Sequence, residues 1–185
     1  MLPTADISDK YSDSIRILKP LLRDYGGVKS FSGKVKTIKT LDDNTKVRAA
    51  LESEGNGDVL VIDGQASLNC ALLGGNLAAL ASQNNWSGII VNGCIRDQLE
   101  IKEEKIGVKA LNSNPKKSNK NDGGEFGVDL NFADTDISEG DYIYADEDGI
   151  IISKDCLLYT SHAADERSSL DIGGRRIIKK KKGGR

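Results

Sequence analysis

Two uninterrupted apolar runs, VLVID at 59–63 and GIIV at 88–91, constrain the fold of this 185-residue chain more than any other feature. A strand with one face in water alternates apolar and polar residues, so a continuous run marks a strand covered on both faces. Between the runs, NLAALASQN (76–84) reads as a helix opened by the diglycine Gly74-Gly75. Strand, helix, strand in that order is a parallel crossover. RDQLEIKEEK (96–105) reads as the next helix and IGVKAL (106–111) as a third strand. The pattern predicts an α/β single domain with a mixed sheet flanked by helices.

The remaining elements are shorter. Thr4 to Tyr11 reads as a helix with Thr4 as N-cap. Ile15, Ile17 and Leu18 form a short strand stopped by Pro20, and DYGG (24–27) is a turn. FSGKVKTIKT (31–40) reads as a strand and 42–54 as a helix capped near Asn44. NGCI (92–95) reads as a turn that delivers Arg96 and Asp97. The polar, basic stretch 112–125 is a loop, and 126–132 and 142–152 are closing strands with DEDG (146–149) as a hairpin signal.

Composition narrows the chemistry. At 38% apolar content the chain can build one core of ordinary size, and its formal charge of −2 conceals an asymmetry. Residues 1–155 hold 18 basic and 25 acidic groups, a net of −7, whereas 156–185 hold 8 basic and 3 acidic. An acidic body argues against direct nucleic-acid binding, which draws its affinity from neutralised phosphates. No apolar run is long enough to span a membrane, and MLPTADISDKYS has no secretory pattern. Cys70, Cys94 and Cys156 form no CxxC pair, so a reduced cytoplasmic setting is expected.

The stretch 156–185 reads differently from the rest. CLLYTSHAADE resembles the in-frame translation of a transposon-end sequencing adapter, and IIKKKKGGR resembles a read-through homopolymer. The expectation is a domain over 1–155 followed by a non-native or disordered basic tail. His162, the single histidine, lies in that tail. Without it, Ser-His-Asp and Cys-His catalysis and His-ligated zinc are unavailable to the body. Its chemistry then rests on carboxylates, Arg, Lys, backbone amides and a hard metal.

Several groups suit that chemistry, and each has an ordinary structural reading beside the functional one. Gly74, Gly75, Asn76 and Leu77 start a helix whose free amides and dipole can receive an anion, or they form a plain helix entry. Arg96 can stabilise an enolate oxygen and Asp97 can ligate Mg²⁺ or Mn²⁺, or the two can be a surface ion pair. Glu100 shares a helical face with Asp97 and can hold a metal-bound water, or it belongs to a solvated face. Cys70 and Cys94 read as small core residues. Lys116, Lys117 and Lys120 either steer anions or form a solvated loop. Asp146, Glu147 and Asp148 lack EF-hand spacing.

Asp63-Gly64, the 74–77 turn, NGCIRD (92–97), IGVKAL (106–111) and GDYIYADEDGIIIS (140–153) together resemble the regulator of ribonuclease activity A family. That family includes the class II, metal-dependent 4-hydroxy-4-methyl-2-oxoglutarate aldolases. The resemblance covers nearly all of 4–155 and implies a swivelling β/β/α core assembled as a homotrimer. It also implies that the 74–77 amides bind a pyruvyl carboxylate, Arg96 contacts the keto oxygen and Asp97 holds the divalent metal. The implied reaction on a small 2-oxo acid is retro-aldol cleavage to pyruvate, with oxaloacetate decarboxylation through the same enolate. The alternative it implies is a non-catalytic regulator that binds ribonuclease E. One departure stands out, because the aldolases carry an Asp twenty-one residues before the Arg and this chain has Gly75 there.

Overall fold

The computed structural model describes residues 1–157, of which Met1–Lys154 form one compact unit, with Asp155–Arg185 dividing off as a second. In chain order the elements are α1 (Thr4–Lys10), β1 (Ile15–Ile17), β2 (Arg23–Asp24), β3 (Phe31–Lys39) and α2 (Thr45–Leu51). Then come β4 (Val59–Asp63), β5 (Ala71–Leu73), α3 (Gly75–Gln83), β6 (Gly88–Ile95), α4 (Gln98–Glu103) and β7 (Gly107–Ser113). The chain closes with β8 (Glu125–Phe126), β9 (Leu130–Phe132), β10 (Thr135–Ile137), β11 (Tyr142–Asp146) and β12 (Gly149–Ser153). His162 and most of the basic tail lie outside the described residues.

A mixed sheet runs β1-β12-β11-β3-β4-β6-β7-β2, with β5 added to β6 and β8 to β3. The run β3-β4-β6-β7 is parallel, as the apolar runs at 59–63 and 88–91 require. Strand β3 joins the two halves. Phe31 to Lys34 pair antiparallel with β11, and Val35 to Lys39 pair parallel with β4. Both faces of β4 are covered, and its side chains alternate between two cores. Leu60 and Ile62 pack with Val47, Leu77, Ile89 and Ile101 beneath the helices, while Val59 and Val61 pack with Phe31, Ile90, Ile143 and Ile152.

Close approach explains one glycine pair. Gly88 and Gly107 face each other across β6 and β7, and a Cβ on either would collide with the Phe31 ring. The flat ring therefore lies on two bare backbones at the centre of the sheet.

Three local expectations need correction. NGCI is not a turn, because β6 continues through Ile95 with all eight residues buried. Strand β5 pairs beside Cys94 and Ile95, and a register irregularity between Val91 and Cys94 absorbs the Asn-Gly pair. Second, α4 starts at Gln98 rather than Arg96, since Asp97 adopts the left-handed conformation. Third, Thr4 is the first helical residue after the N-cap Pro3, and its amide and hydroxyl donate to Asp146 at 2.8 and 2.6 Å. Asp146 is thereby committed to holding α1, while the DEDG turn pairs Asp146 with Gly149 as expected.

Candidate functional site

The parallel strands β5 and β6 end side by side, and each hands the chain to a helix. Ligands of open α/β sheets collect outside such carboxyl ends. Leu73 closes β5, and its carbonyl accepts from the Arg96 amide at 2.9 Å, locking the two exits together. Gly74 then caps α3 in an extended conformation, while Asp97 caps α4 at φ 60° and ψ 47°. Asp tolerates this region better than most side chains, yet a non-glycine residue here marks a local demand. The demand is visible in what the carboxylate does. Asp97 leaves its own helix uncapped and accepts from the Gly75 amide, Oδ2 at 2.9 Å.

Both glycines of the pair lie close against the charged side chains of α4 and its approach. A Cβ on Gly74 would stand 3.0 Å from Asp97 Oδ2 and 3.5 Å from Arg96 Nε. A Cβ on Gly75 would collide with Glu100 Oε1. The backbone of Gly75 is outside the positive-φ region, so the Glu100 side chain rather than conformation opposes a side chain there. The structure thus gathers Gly74, Gly75, Arg96, Asp97 and Glu100, with Asn76 and Leu77 in the first turn of α3.

The helix start is partly occupied by the chain itself. The Gly75 amide serves Asp97 and the Ala78 amide serves the Gly74 carbonyl at 3.0 Å. The amides of Asn76 and Leu77 are the two donors left for an anion. They sit where the dipole of α3 favours negative charge. Arg96 is half-buried, and its Nη1 donates to the Pro115 carbonyl at 3.3 Å.

Sequence reasoning missed part of this cleft. Asn44 at the N-cap of α2, Arg48 from α2 and Ser118 from the 112–125 loop line it together with Gly74, Asn76, Arg96, Asp97, Lys117 and Lys120. Asn44 and Arg48 lie four residues apart on one helical face, a spacing legible in the sequence. Nothing local distinguishes Ser118. Arg96 and Asp97 also border an open groove of about 540 Å³ with Leu99, Glu100, Ser113 and Pro115.

Among the described residues no group of three or more His, Cys, Asp and Glu side chains is arranged to hold a metal. The local donors are two carboxylates, and Asp97 Oδ1 accepts no hydrogen bond from the described residues. Such a set does not make an all-protein cage. It fits Mg²⁺ or Mn²⁺, which bind through one or two carboxylates and retain waters.

The cysteines are outside this chemistry. Burial, with Asp42 beside it, pushes the Cys70 thiol up to about 11, and burial also raises Cys94. Both stay protonated near neutrality and act as small apolar groups.

Fold and site define an α/β domain that gathers a helix start, an arginine and two carboxylates at the carboxyl edge of a parallel sheet. The chain belongs to the RraA-like family, described as Aldolase/RraA, whose model matches residues 4–152. A protein of Burkholderia multivorans, 50% identical over 155 residues, covers 81% of this chain and 94% of its own length. One of Alkalilimnicola ehrlichii is 48% identical over 157 residues, covering 85% and 98%. Both bear the provisional name 4-hydroxy-4-methyl-2-oxoglutarate aldolase.

Among solved structures, the RNA-processing inhibitor RraA from Thermus thermophilis superposes with a TM-score of 0.81 at 41% identity, over 84% of this chain and 94% of that one. A Geobacillus kaustophilus protein described as an S-adenosylmethionine: 2-dimethylmenaquinone methyltransferase gives 0.84 at 40% identity, over 85% and 98%. These matches bear out the mixed α/β domain read from the sequence. No helix among the described residues is long and apolar enough to cross a membrane.

Proposed function

We propose that this protein is a divalent-metal-dependent aldolase that cleaves 4-hydroxy-4-methyl-2-oxoglutarate to pyruvate and decarboxylates oxaloacetate as a side reaction. The observation that carries the reading is the Asp97–Gly75 contact at 2.9 Å, which sets a carboxylate, Arg96 and free helix amides around one small cleft. The names of relatives near 50% identity support the same class of reaction.

In this reading the Asn76 and Leu77 amides hold the C1 carboxylate of the 2-oxo acid. The Arg96 guanidinium donates to the C2 oxygen and stabilises the negative charge that grows there as the C3–C4 bond breaks. The C3–C4 electron pair becomes the enolate of one pyruvate. The C4 hydroxyl loses its proton and becomes the keto group of the other. Glu100, through a water, takes that proton and returns one to C3. Asp97 would hold the divalent cation, with Glu100 on one of its waters, and the cation when bound supplies Lewis-acid polarisation of the 2-oxo group. Oxaloacetate uses the same machinery, with carbon dioxide as the leaving fragment.

Gly75 is reconciled with this chemistry by Glu100. The space that a side chain at position 75 would need is filled by the Glu100 carboxylate. A carboxylate is therefore present at that point, beside the open groove, although residue 75 has none. We further propose assembly as a homotrimer in the cytoplasm, with the groove at α4 facing a neighbouring subunit. Leu99, 79% exposed beside Arg96 and Asp97, is the apolar surface such an interface would cover.

The test is pyruvate release from either substrate in a lactate dehydrogenase-coupled assay with Mg²⁺, with and without EDTA, and with Asp97→Ala as control. Chelator-sensitive release lost in the variant is expected. Its absence in wild-type protein would end the enzyme reading.

A second reading has one observation in its favour, the 41% identity to an RNA-processing inhibitor. Under it the acidic body binds basic segments of ribonuclease E without catalysis. Co-purification with ribonuclease E, together with no pyruvate release, would promote it.

A further inference from the structure

A separate cavity of about 430 Å³, a volume typical of small-molecule pockets, lies between α2, β3 and β8. It shares no residue with the cleft: Arg48 of α2 lines the cleft, whereas Ala49 and Ala50 line this cavity. Its floor is apolar, since Ile38 and Leu60 belong to the core beneath the helices. Trp86, the single tryptophan of the chain, and Phe126, 51% exposed, supply aromatic walls. The indole is fixed in place. Its Nε1 donates to the Ser53 carbonyl at 3.1 Å, and Gly55 lies so close that a Cβ there would collide with the ring.

Four charged side chains line this cavity, and two of them are already engaged. Glu54 accepts from Asn85 Nδ2 at 3.2 and 3.1 Å, and Glu139 Oε1 accepts from the Thr37 amide at 2.7 Å. The other two are Asp58 and Lys36, and neither side chain is ion-paired among the described residues. Asp58 is held by its backbone, whose amide donates to the Gly55 carbonyl and whose carbonyl accepts from the Ser87 amide, both at 2.9 Å. Burial pushes its carboxyl above the ordinary carboxylate value, against the pull of Lys36 and Lys34. A half-buried carboxylate normally takes a donor or a cation. Here a carboxylate and an ammonium border one apolar cavity without pairing with each other. That arrangement is complementary to a ligand that carries both charges on an apolar body.

We propose that this cavity binds a free α-amino acid with an apolar side chain. Asp58 receives the ammonium, Lys36 the carboxylate, and the side chain packs against Ile38, Leu60, Trp86 and Phe126. A plain amine would leave Lys36 facing a cation, and a plain carboxylic acid would meet Asp58, Glu54 and Glu139. The site is independent of the chemistry at Arg96 and Asp97 and holds for an aldolase and a regulator alike.

Because Trp86 is the single tryptophan and lines the cavity, its fluorescence in the full chain reads binding directly. L-phenylalanine and L-leucine are expected to change it saturably, with dissociation constants below about 1 mM. Phenethylamine and 3-phenylpropionate, each lacking one charge of phenylalanine, are expected to bind at least about tenfold more weakly. Asp58→Asn should weaken L-phenylalanine about tenfold without weakening 3-phenylpropionate. Lys36→Gln, which removes an exposed cation, should weaken it about threefold without weakening phenethylamine. No saturable change with either amino acid, equal affinity for phenylalanine and its one-charge analogues, or unchanged phenylalanine affinity in both variants would overturn the proposal. Pyruvate release does not enter the readout, so a failure of catalysis and a failure of this site are separable.

Discussion

Removing the Glu100 carboxylate and restoring one from position 75 tests the account at its most unusual residue. In the structure a Cβ on Gly75 would meet Glu100 Oε1 head-on and lie 3.0 Å from Glu100 Cβ. The two positions therefore address one volume. Glu100→Ala empties it, and the proton relay is expected to lose about 10²-fold in kcat, roughly 2.7 kcal/mol of transition-state stabilisation. Gly75→Asp alone forces two carboxylates together. Since the obstructing atoms end a flexible, exposed side chain, the fold should survive and activity should fall about tenfold. Gly75→Asp/Glu100→Ala returns a single carboxylate to the volume and is expected to come within tenfold of wild type. Replacing glycine in the first turn also contributes up to about 1 kcal/mol to helix stability, so the double variant should melt no lower than wild type. Pyruvate release by the coupled assay and thermal unfolding on the same samples decide the matter. A Glu100→Ala protein with full activity, or a double variant no better than Glu100→Ala, would refute the reasoning.

Three further outcomes follow from packing and charge. Gly88→Ala drives a methyl into the Phe31 ring, which is 5% exposed, and should cost about 2–3 kcal/mol by urea unfolding, with Phe31→Leu recovering part of it. Acid should unfold the protein through Asp42, Asp43 and Asp146. Hydrogen bonding from Ser67 leads in holding Asp42 below the ordinary carboxylate range. Burial raises Asp43 and Asp146, but hydrogen bonds from Thr45 and Asn121, and from Thr4, Asp148 and Gly149, outweigh it. A depressed native value means the unfolded chain binds protons first. The stabilisation is complete above about pH 5 and is lost as pH falls through about 3.9 towards the native values. Urea midpoints at pH 7 and 5 should agree and the midpoint at pH 3.5 should fall below both, with Asp146→Asn showing a shallower drop. Leu99→Glu should convert a trimer to smaller species by light scattering, and a wild-type monomer would contradict the assembly.

The central sheet was legible because β4 and β6 are buried on both faces, and VLVID and GIIV are short, β-branched apolar runs of the kind such strands need. The same logic failed four residues later. Asn92-Gly93 has the composition of a turn, yet Asn92 Nδ2 donates to Asp63 Oδ1 at 2.9 Å and β5 lends Cys94 and Ile95 a neighbour. That neighbour comes from LNCALL, whose three strand residues are too few to show a period. Arg96 and Asp97 were legible as a charged pair at a strand exit, but not the backward turn of Asp97 towards Gly75, which depends on a left-handed residue. The 112–125 loop shows the limit best. Its polar residues read as solvated, and contacts to Ala71 and Asn44 from elsewhere in the chain bury Ser118 in the cleft. Asn44 is the N-cap of α2 as read, yet its side chain makes no cap hydrogen bond: Asp43 Oδ1 takes the Thr45 amide at 2.9 Å, and Asn44 receives Lys120.

The most direct test of enolate formation at Arg96 is exchange of the pyruvate methyl protons for deuterium, followed by proton NMR in D₂O. It needs no aldol substrate and reads the intermediate common to both proposed reactions. With Mg²⁺ the wild-type protein is predicted to deplete the methyl signal well above the protein-free rate, and Arg96→Ala to reduce that depletion at least a hundredfold. Exchange at the protein-free rate, or equal exchange in wild type and Arg96→Ala, would contradict the account.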